Sequence, residues 1–354
     1  MRRIYVCHTY YHVYISILKE FAREDAKEKE ATIVLSSLST DFENLKERLL
    51  ATGFFEDVVD YDEKPASFFE DLEKYKDPNA NAIKSIINRI KYTKKFGKYE
   101  EAFVPVDFKK YDEIYVFCDS DPIGYYLNYK HIYYHSVEDG LNTLKSSDLA
   151  RVDNTPHFGL KTFLSKRMNL FFVQNGYGRY CLDMEVNDIS VLKYPCPYRI
   201  EVSRQALYER LTEDEKTFLL NVFVKEKEKL TDVLKASDQK TVLLLTEPLA
   251  SLEVRKKIFQ DMIDKYEKEG YKVIFKQHPR DLLDYTVEFP NYLLIDRTVP
   301  MEMLNFFEQK FDLVVSVFTE LDNVYFAKER LRLGRDFMDA YEDRSIHESR
   351  FESK

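Results

Sequence analysis

Two adjacent acids and a glycine, Glu138-Asp139-Gly140, close an apolar run at 131–137. At a strand's carboxyl end this triplet puts carboxylates where a hydroxyl proton can be taken up, which is general-base chemistry. An acidic turn with Asp139 capping a helix accounts for the same residues. Gln277-His278-Pro279-Arg280 follows the run 272–276. An imidazole held by the proline after it can donate to charge growing on a phosphate, or can be a surface His ahead of a helix. Ser316 and Thr319 bracket the end of 312–317. Hydroxyls beside a helix's first turn, with its open N–H groups, suit an anion; a plain Thr N-cap reads the same. Glu302, two residues past Pro300, reaches a ribose diol on one reading and complements a helix dipole on the other. Cys7-His8-Thr9-Tyr10-Tyr11-His12 follows the first apolar run, where such groups line a cleft; His8 and His12, with no HExxH and no third ligand, read as a helix-surface pair.

Each of these groups follows a run of strand length, so the elements must deliver them. Runs at 2–8, 31–37, 57–62, 113–119 and 131–137 are rich in β-branched and aromatic residues and alternate with helical patterns. A second alternating block has strands at 241–245, 272–276, 292–296 and 312–317, with helices at 253–269, 300–307 and 319–328. Near-continuous apolar strands with helical crossovers predict parallel sheets covered on both faces, with chemistry beyond their carboxyl ends. The expected domains are 1–160, a connector with helices at 161–235, a second α/β domain at 236–335 and a tail at 336–354.

The chain has 354 residues, a formal charge of −9 and no Trp, which excludes the broad basic footprint of a duplex-DNA binder. Its four cysteines lack the spacing of a zinc knuckle, redox pair or disulfide framework and read as reduced thiols. The start, MRRIYVCHTYYHVYISILKEF, is too interrupted for a signal peptide, and no apolar stretch approaches the roughly 18 residues of a span, so a cytoplasmic location is expected. The GxG at Gly176 and Gly178 has Cys181 where a third glycine belongs, and neither a P-loop nor a GxSxG occurs, which removes dinucleotide, P-loop and α/β-hydrolase readings.

In this order, Glu138-Asp139-Gly140, His278-Pro279 and Ser316 with Thr319 resemble the D/E-D/E-G, HP and Ser/Thr elements of bacterial sialyltransferases. YVCHTYYHVYI and Leu245-Thr246-Glu247-Pro248-Leu249 look most similar to glycosyltransferase family 52, which includes capsule and lipooligosaccharide enzymes. The resemblance spans about residues 2–330. It implies an α/β GT-B architecture, two Rossmann-like domains with parallel sheets facing across a cleft. It implies inverting, metal-independent transfer of sialic acid from CMP-N-acetylneuraminate to a terminal galactoside. Carried over, Glu138 is the general base with Asp139 behind it, and His278 donates to the departing phosphate. Ser316 and Thr319 hold that phosphate, Glu302 the ribose, and Pro279 and Thr246 complete the nucleotide site. Thr9 and Gly140 line the substrate cleft. Some family members place the base after a TQPL-type segment; here Ala250-Ser251-Leu252-Glu253 offers Glu253 alone. A UDP-sugar donor on the same scaffold and a non-catalytic capsule-assembly role are the competing readings. Asp119-Ser120-Asp121 adds a third, the metal-holding DxD of another transferase class. A homodimer and peripheral membrane contact stay open.

Overall fold

The computed structural model describes residues 1–24, 29–141, 143–225, 227–235, 239–322 and 324–346. The chain divides into two units, Met1–Thr212 and Glu213–Lys354. The first is built on β1 (Arg3–Cys7), β2 (Ala31–Ser36), β3 (Asp57–Tyr61), β4 (Glu113–Phe117), β5 (Tyr134–Val137), β6 (Cys181–Val186) and β7 (Arg199–Glu201). All pair in parallel, in the order β3-β2-β1-β4-β5-β6-β7. β1 and β2 are buried at every residue, as a strand covered on both faces must be. The helices are α1 (Tyr10–Phe21), α2 (Leu45–Ala51), α3 (Ala82–Glu100), α4 (Pro122–Lys130), α5 (Thr143–Ser146), α6 (Leu149–Asp153), α7 (Phe158–Met168) and α8 (Arg204–Glu209). α3 lies tight on α4 because Gly97 carries no side chain: a Cβ there would stand 2.5 Å from the Tyr125 carbonyl oxygen. The sheet reverses direction between β1 and β4, the place where an open α/β sheet leaves a crevice at its carboxyl edge.

The second unit repeats the plan with α9 (Glu213–Phe223), α10 (Lys227–Lys235), β8 (Thr241–Leu245), α11 (Leu252–Lys268), β9 (Lys272–Lys276), α12 (Tyr285–Glu288), β10 (Leu293–Ile295), β11 (Phe311–Ser316), β12 (Ala327–Arg332) and α13 (Gly334–Met338). Its parallel order is β10-β9-β8-β11-β12, reversing between β8 and β11. α11 packs Ile258, Phe259, Met262 and Tyr266 into the core and ends at Gly270, whose φ of +85° suits a residue without Cβ. Met338 joins the same core, so the start of the expected tail packs back on this unit; the last residues of that tail lie outside the described ones.

Three expectations change. The expected connector contains β6 and β7, which extend the first sheet, and the division falls at Thr212. The expected helix at 319–328 is a loop followed by β12, whose AKERLR sequence is exposed at all but its first residue. Its lysine and arginines suit a sheet edge that must not recruit another strand. The expected helix at 300–307 is a 3₁₀ segment, Met301–Phe306.

Candidate functional site

In the first unit the chemistry gathers at the reversal point. Thr9 caps α1 by accepting the His12 N–H at 3.2 Å, which fixes the helix start directly after β1. His12 is buried and stacks on Phe117 at 4.3 Å and 7°. Its Nδ1 accepts the His8 N–H at 3.0 Å, so in the neutral ring the proton resides on Nε2. Nε2 then donates to Asp139, at 2.9 Å to Oδ1 and 2.8 Å to the carbonyl oxygen. Burial lowers the His12 pKa, which favours this neutral form. Asp139 itself stands half exposed, with 51% of its side chain open.

Glu138 faces the other way. It is buried, Oε1 accepts the Leu144 N–H at 3.1 Å, and Oε2 accepts the Asn187 N–H at 2.9 Å. Burial raises its pKa against those bonds. Its carboxylate ties the β5 loop to the segment after β6, so the first acid of the pair holds the backbone and the second meets solvent. Just past the end of β5, the acid expected as the base is thus engaged with backbone N–H groups, and the one expected behind it is the acid open to solvent. Gly140 makes the turn, where a Cβ would come within 2.9 Å of Thr143 Oγ1.

Beside this pair lies a buried ionic cluster. His8 Nε2 meets Glu63 Oε2 at 2.6 Å, and Glu63 also accepts from Ser36 Oγ at 2.6 Å and the Ile123 N–H at 2.7 Å. Burial opposes charging of His8, yet the Glu63 carboxylate carries its pKa up to about 9. Asp121 stands 3.6 Å from His8 Nε2, and burial pushes its carboxyl up to about 7. His8 and His12 are therefore interior residues, not the helix-surface pair their spacing suggested. Asp119 is fully buried, accepting from the Asn175 N–H at 2.5 Å and the Tyr134 hydroxyl at 2.8 Å. The DxD-like triplet thus turns one acid into the protein and one toward His8. Among the described residues no group of three His, Cys, Asp or Glu is arranged to hold a metal ion.

In the second unit His278 follows β9. Its N–H donates to Thr246 Oγ1 at 2.9 Å, and its Nδ1 accepts the Arg280 N–H at 3.0 Å, which leaves Nε2 as the protonated nitrogen. Thr246 is buried and holds the His278 backbone; Pro279 is exposed. Asp281, salt-bridged to Arg255 and bonded to the Tyr285 hydroxyl at 2.8 Å, pins the following turn. Glu302 is half-buried, its carboxyl raised by desolvation and eased by Lys276, whose own pKa burial lowers to about 8.

The loop after β11 differs from expectation. Buried Ser316 donates its hydroxyl to the Thr319 carbonyl at 2.8 Å. The N–H groups of Val317, Phe318 and Thr319, at 2.8, 3.0 and 3.2 Å, all donate to Glu247 Oε1. Three converging backbone donors make an anion nest. A buried carboxylate of the chain fills it, and among the described residues no helix N-terminus stands there. Glu247 stands in the segment that carries the family resemblance, but its place in this loop had no sequence signal because nothing local links it to residues 70 positions later. Glu253 is an exposed acid in the first turn of α11, behind the Ser251 cap.

Solved structures share this fold at low identity. The 2,6-sialyltransferase of Photobacterium sp. JT-ISH-224, in complex with CMP and lactose, superposes with a TM-score of 0.54 at 12% identity over 93% of this chain and 71% of its own. The GT-B domain of the sialyltransferase from Photobacterium damselae gives 0.51 at 12% over 90% and 86%. The α/β-galactoside α-2,3-sialyltransferase of Photobacterium phosphoreum gives 0.50 at 12% over 92% and 88%. An uncharacterized protein of Haemophilus influenzae is 28% identical over 178 residues, 47% of this chain, and the match spans 55% of that relative. The two parallel sheets are those of a GT-B protein, and with the profile of Glycosyltransferase family 52 matching residues 69–320, the chain belongs to that family.

Proposed function

We propose that the chain is an inverting glycosyltransferase that moves sialic acid from CMP-N-acetylneuraminate to a terminal galactoside of a surface glycan, at the cytoplasmic side of a membrane and without a metal. The observation that carries this reading is Asp139: a half-exposed carboxylate held by a neutral imidazole at the sheet's reversal point. As the galactoside oxygen bonds to the sugar carbon its hydroxyl acidifies, and the proton passes to Asp139. The bond from that carbon to the CMP phosphate breaks, its electron pair going to the phosphate oxygen. His278 Nε2–H stabilises that oxygen; the Thr319 hydroxyl, which donates to the Glu247 carboxylate, turns from it to the phosphate as second donor, and Ser316 shapes the Thr319 loop. Glu302 takes the ribose, and Thr246 and Pro279 keep the imidazole aimed. Attack from the face opposite the leaving phosphate inverts the centre. The CMP and lactose of the Photobacterium sp. complex are of these ligand classes.

A nucleotide panel tests the donor. CMP at about 100 times its Kd should stabilise the protein by about 2.7 kcal/mol without added metal. A shift with UDP or GDP and none with CMP would move the reading to the UDP-sugar class, and a manganese requirement mapping to Asp119 and Asp121 would move it to the DxD class. His278→Ala should lower kcat about 10²- to 10³-fold. Donor hydrolysis unaffected by both His278→Ala and Asp139→Asn would leave a non-catalytic role.

A further inference from the structure

α3 carries six Lys and Arg and a single acid, the buried Glu100, while α7 carries three cations and no acid. The whole chain, by contrast, is at −9. Interleaved with these cations are large apolar side chains open to solvent: Ile83, Ile86 and Ile87 on α3, and Leu160, Phe163 and Met168 on α7, with Ile83 72% and Phe163 56% exposed. The two helices belong to one surface. Ile90 of α3, Ala150 of α6, and Phe158 and Leu164 of α7 pack into a common cluster. A cavity of about 460 Å3 opens among the same helices, with Arg89, Lys161 and Lys76 but also Asp77 and Asp153 in its lining. Lys84 and Lys95 reach Asp77 and Asp71. Arg89, Lys91, Lys94, Lys161 and Arg167 are in no ion pair among the described residues.

A soluble polyanion would satisfy the cations and leave the isoleucines wet. An apolar protein partner would cover the isoleucines and bury the charges at a cost. A bilayer with anionic headgroups satisfies both at once, because its surface attracts Lys and Arg while its interface accepts apolar side chains between them. No helix among the described residues is long and apolar enough to cross a membrane, so contact through these helices would be peripheral. We propose that the α3–α6–α7 face docks the protein on an anionic phospholipid surface. This stands apart from the transfer reaction and survives if the donor assignment fails.

Vesicle co-sedimentation with the full chain tests it. The protein should bind mixed phosphatidylglycerol/phosphatidylcholine vesicles and not phosphatidylcholine alone. Lys91→Glu/Lys94→Glu, with an unchanged melting temperature, should weaken binding about tenfold or more. Because the chain has no Trp, Ile87→Trp supplies a single reporter. Its fluorescence should shift blue on the mixed vesicles and be quenched by brominated acyl chains. Equal binding to both vesicle types, undiminished binding by the charge-reversed variant, or an unquenched reporter on bound protein would each overturn the proposal. Displacement from vesicles by polyglutamate together with an unquenched reporter would reassign the face to a soluble polyanion.

Discussion

Asp139 and Glu138 are neighbours with opposite surroundings, and the difference predicts opposite phenotypes. Asp139→Asn keeps the size and the His12 bond but cannot take a proton, so kcat should fall about 10²- to 10⁴-fold with the melting temperature kept. Glu138→Gln puts an amide where two backbone N–H groups donate, leaving one of them facing another donor; stability should drop by about 1–3 kcal/mol, read by urea unfolding. Turnover lost in Glu138→Gln at full stability would return the base to Glu138. His12 acts through Asp139. Its Nε2–H stabilises the carboxylate, so His12→Phe should raise the Asp139 pKa and move the acid limb of the kcat/KM profile to higher pH. His12→Gln, which still offers an N–H, should recover part of the shift, whereas a purely structural role for His12 would leave the limb where it is.

At the scale of elements, the His8–Glu63 pair ties the end of β1 to the residues after β3, and Glu63 also caps the start of α4 through Ile123. His8 titrates at 6.5 when unfolded and at about 9 when folded. Its contribution to stability is complete below pH 6.5 and is lost as pH rises through about 9. The stability difference between wild type and His8→Asn, measured by urea unfolding, should therefore shrink between pH 6.5 and 9.5. A difference flat across that interval would show a neutral His8. The pair also shows what sequence pattern carries and what it omits. β1, β2, β4, β8 and β9 were legible because strands buried on both faces read as unbroken apolar runs. β6 and β12 were not: CLDMEV and AKERLR carry charges within the run, and their pairing, β6 between β5 and β7 and β12 at the sheet edge, comes from the neighbouring strands, not from the residues themselves. Asp139, His278 and Thr319 were legible by their place after strands. The tautomers of His12 and His278 are set by N–H groups four and two residues away, whose directions only the folded loops fix, and the Glu247 carboxylate in the β11 loop depends on residues far along the chain.

At the scale of the molecule, the two units each close a core and each carry one half of the proposed chemistry: the base on Met1–Thr212, the leaving-group donors on Glu213–Lys354. Ligands should therefore act on separate lengths of chain. Backbone amides around His278 and in the 317–319 loop are held by bonds to Thr246, His278 Nδ1 and Glu247, so an anion arriving there must tighten or replace those bonds. Hydrogen exchange in the presence of CMP should slow at 277–281 and change at 317–319, while 8–12 and 138–141 keep their rates. A galactoside acceptor such as lactose should slow exchange at 8–12 and 138–141, where the His8 N–H to His12 bond anchors the loop. Local opening is governed by the bonds of each segment, so a ligand that binds one unit raises protection first in the segments it contacts. The pattern separates the two halves of the proposal. CMP protection confined to the first unit would remove His278 from the donor site, and lactose protection confined to the second would remove Asp139 from the acceptor site. Either result can arise without the other.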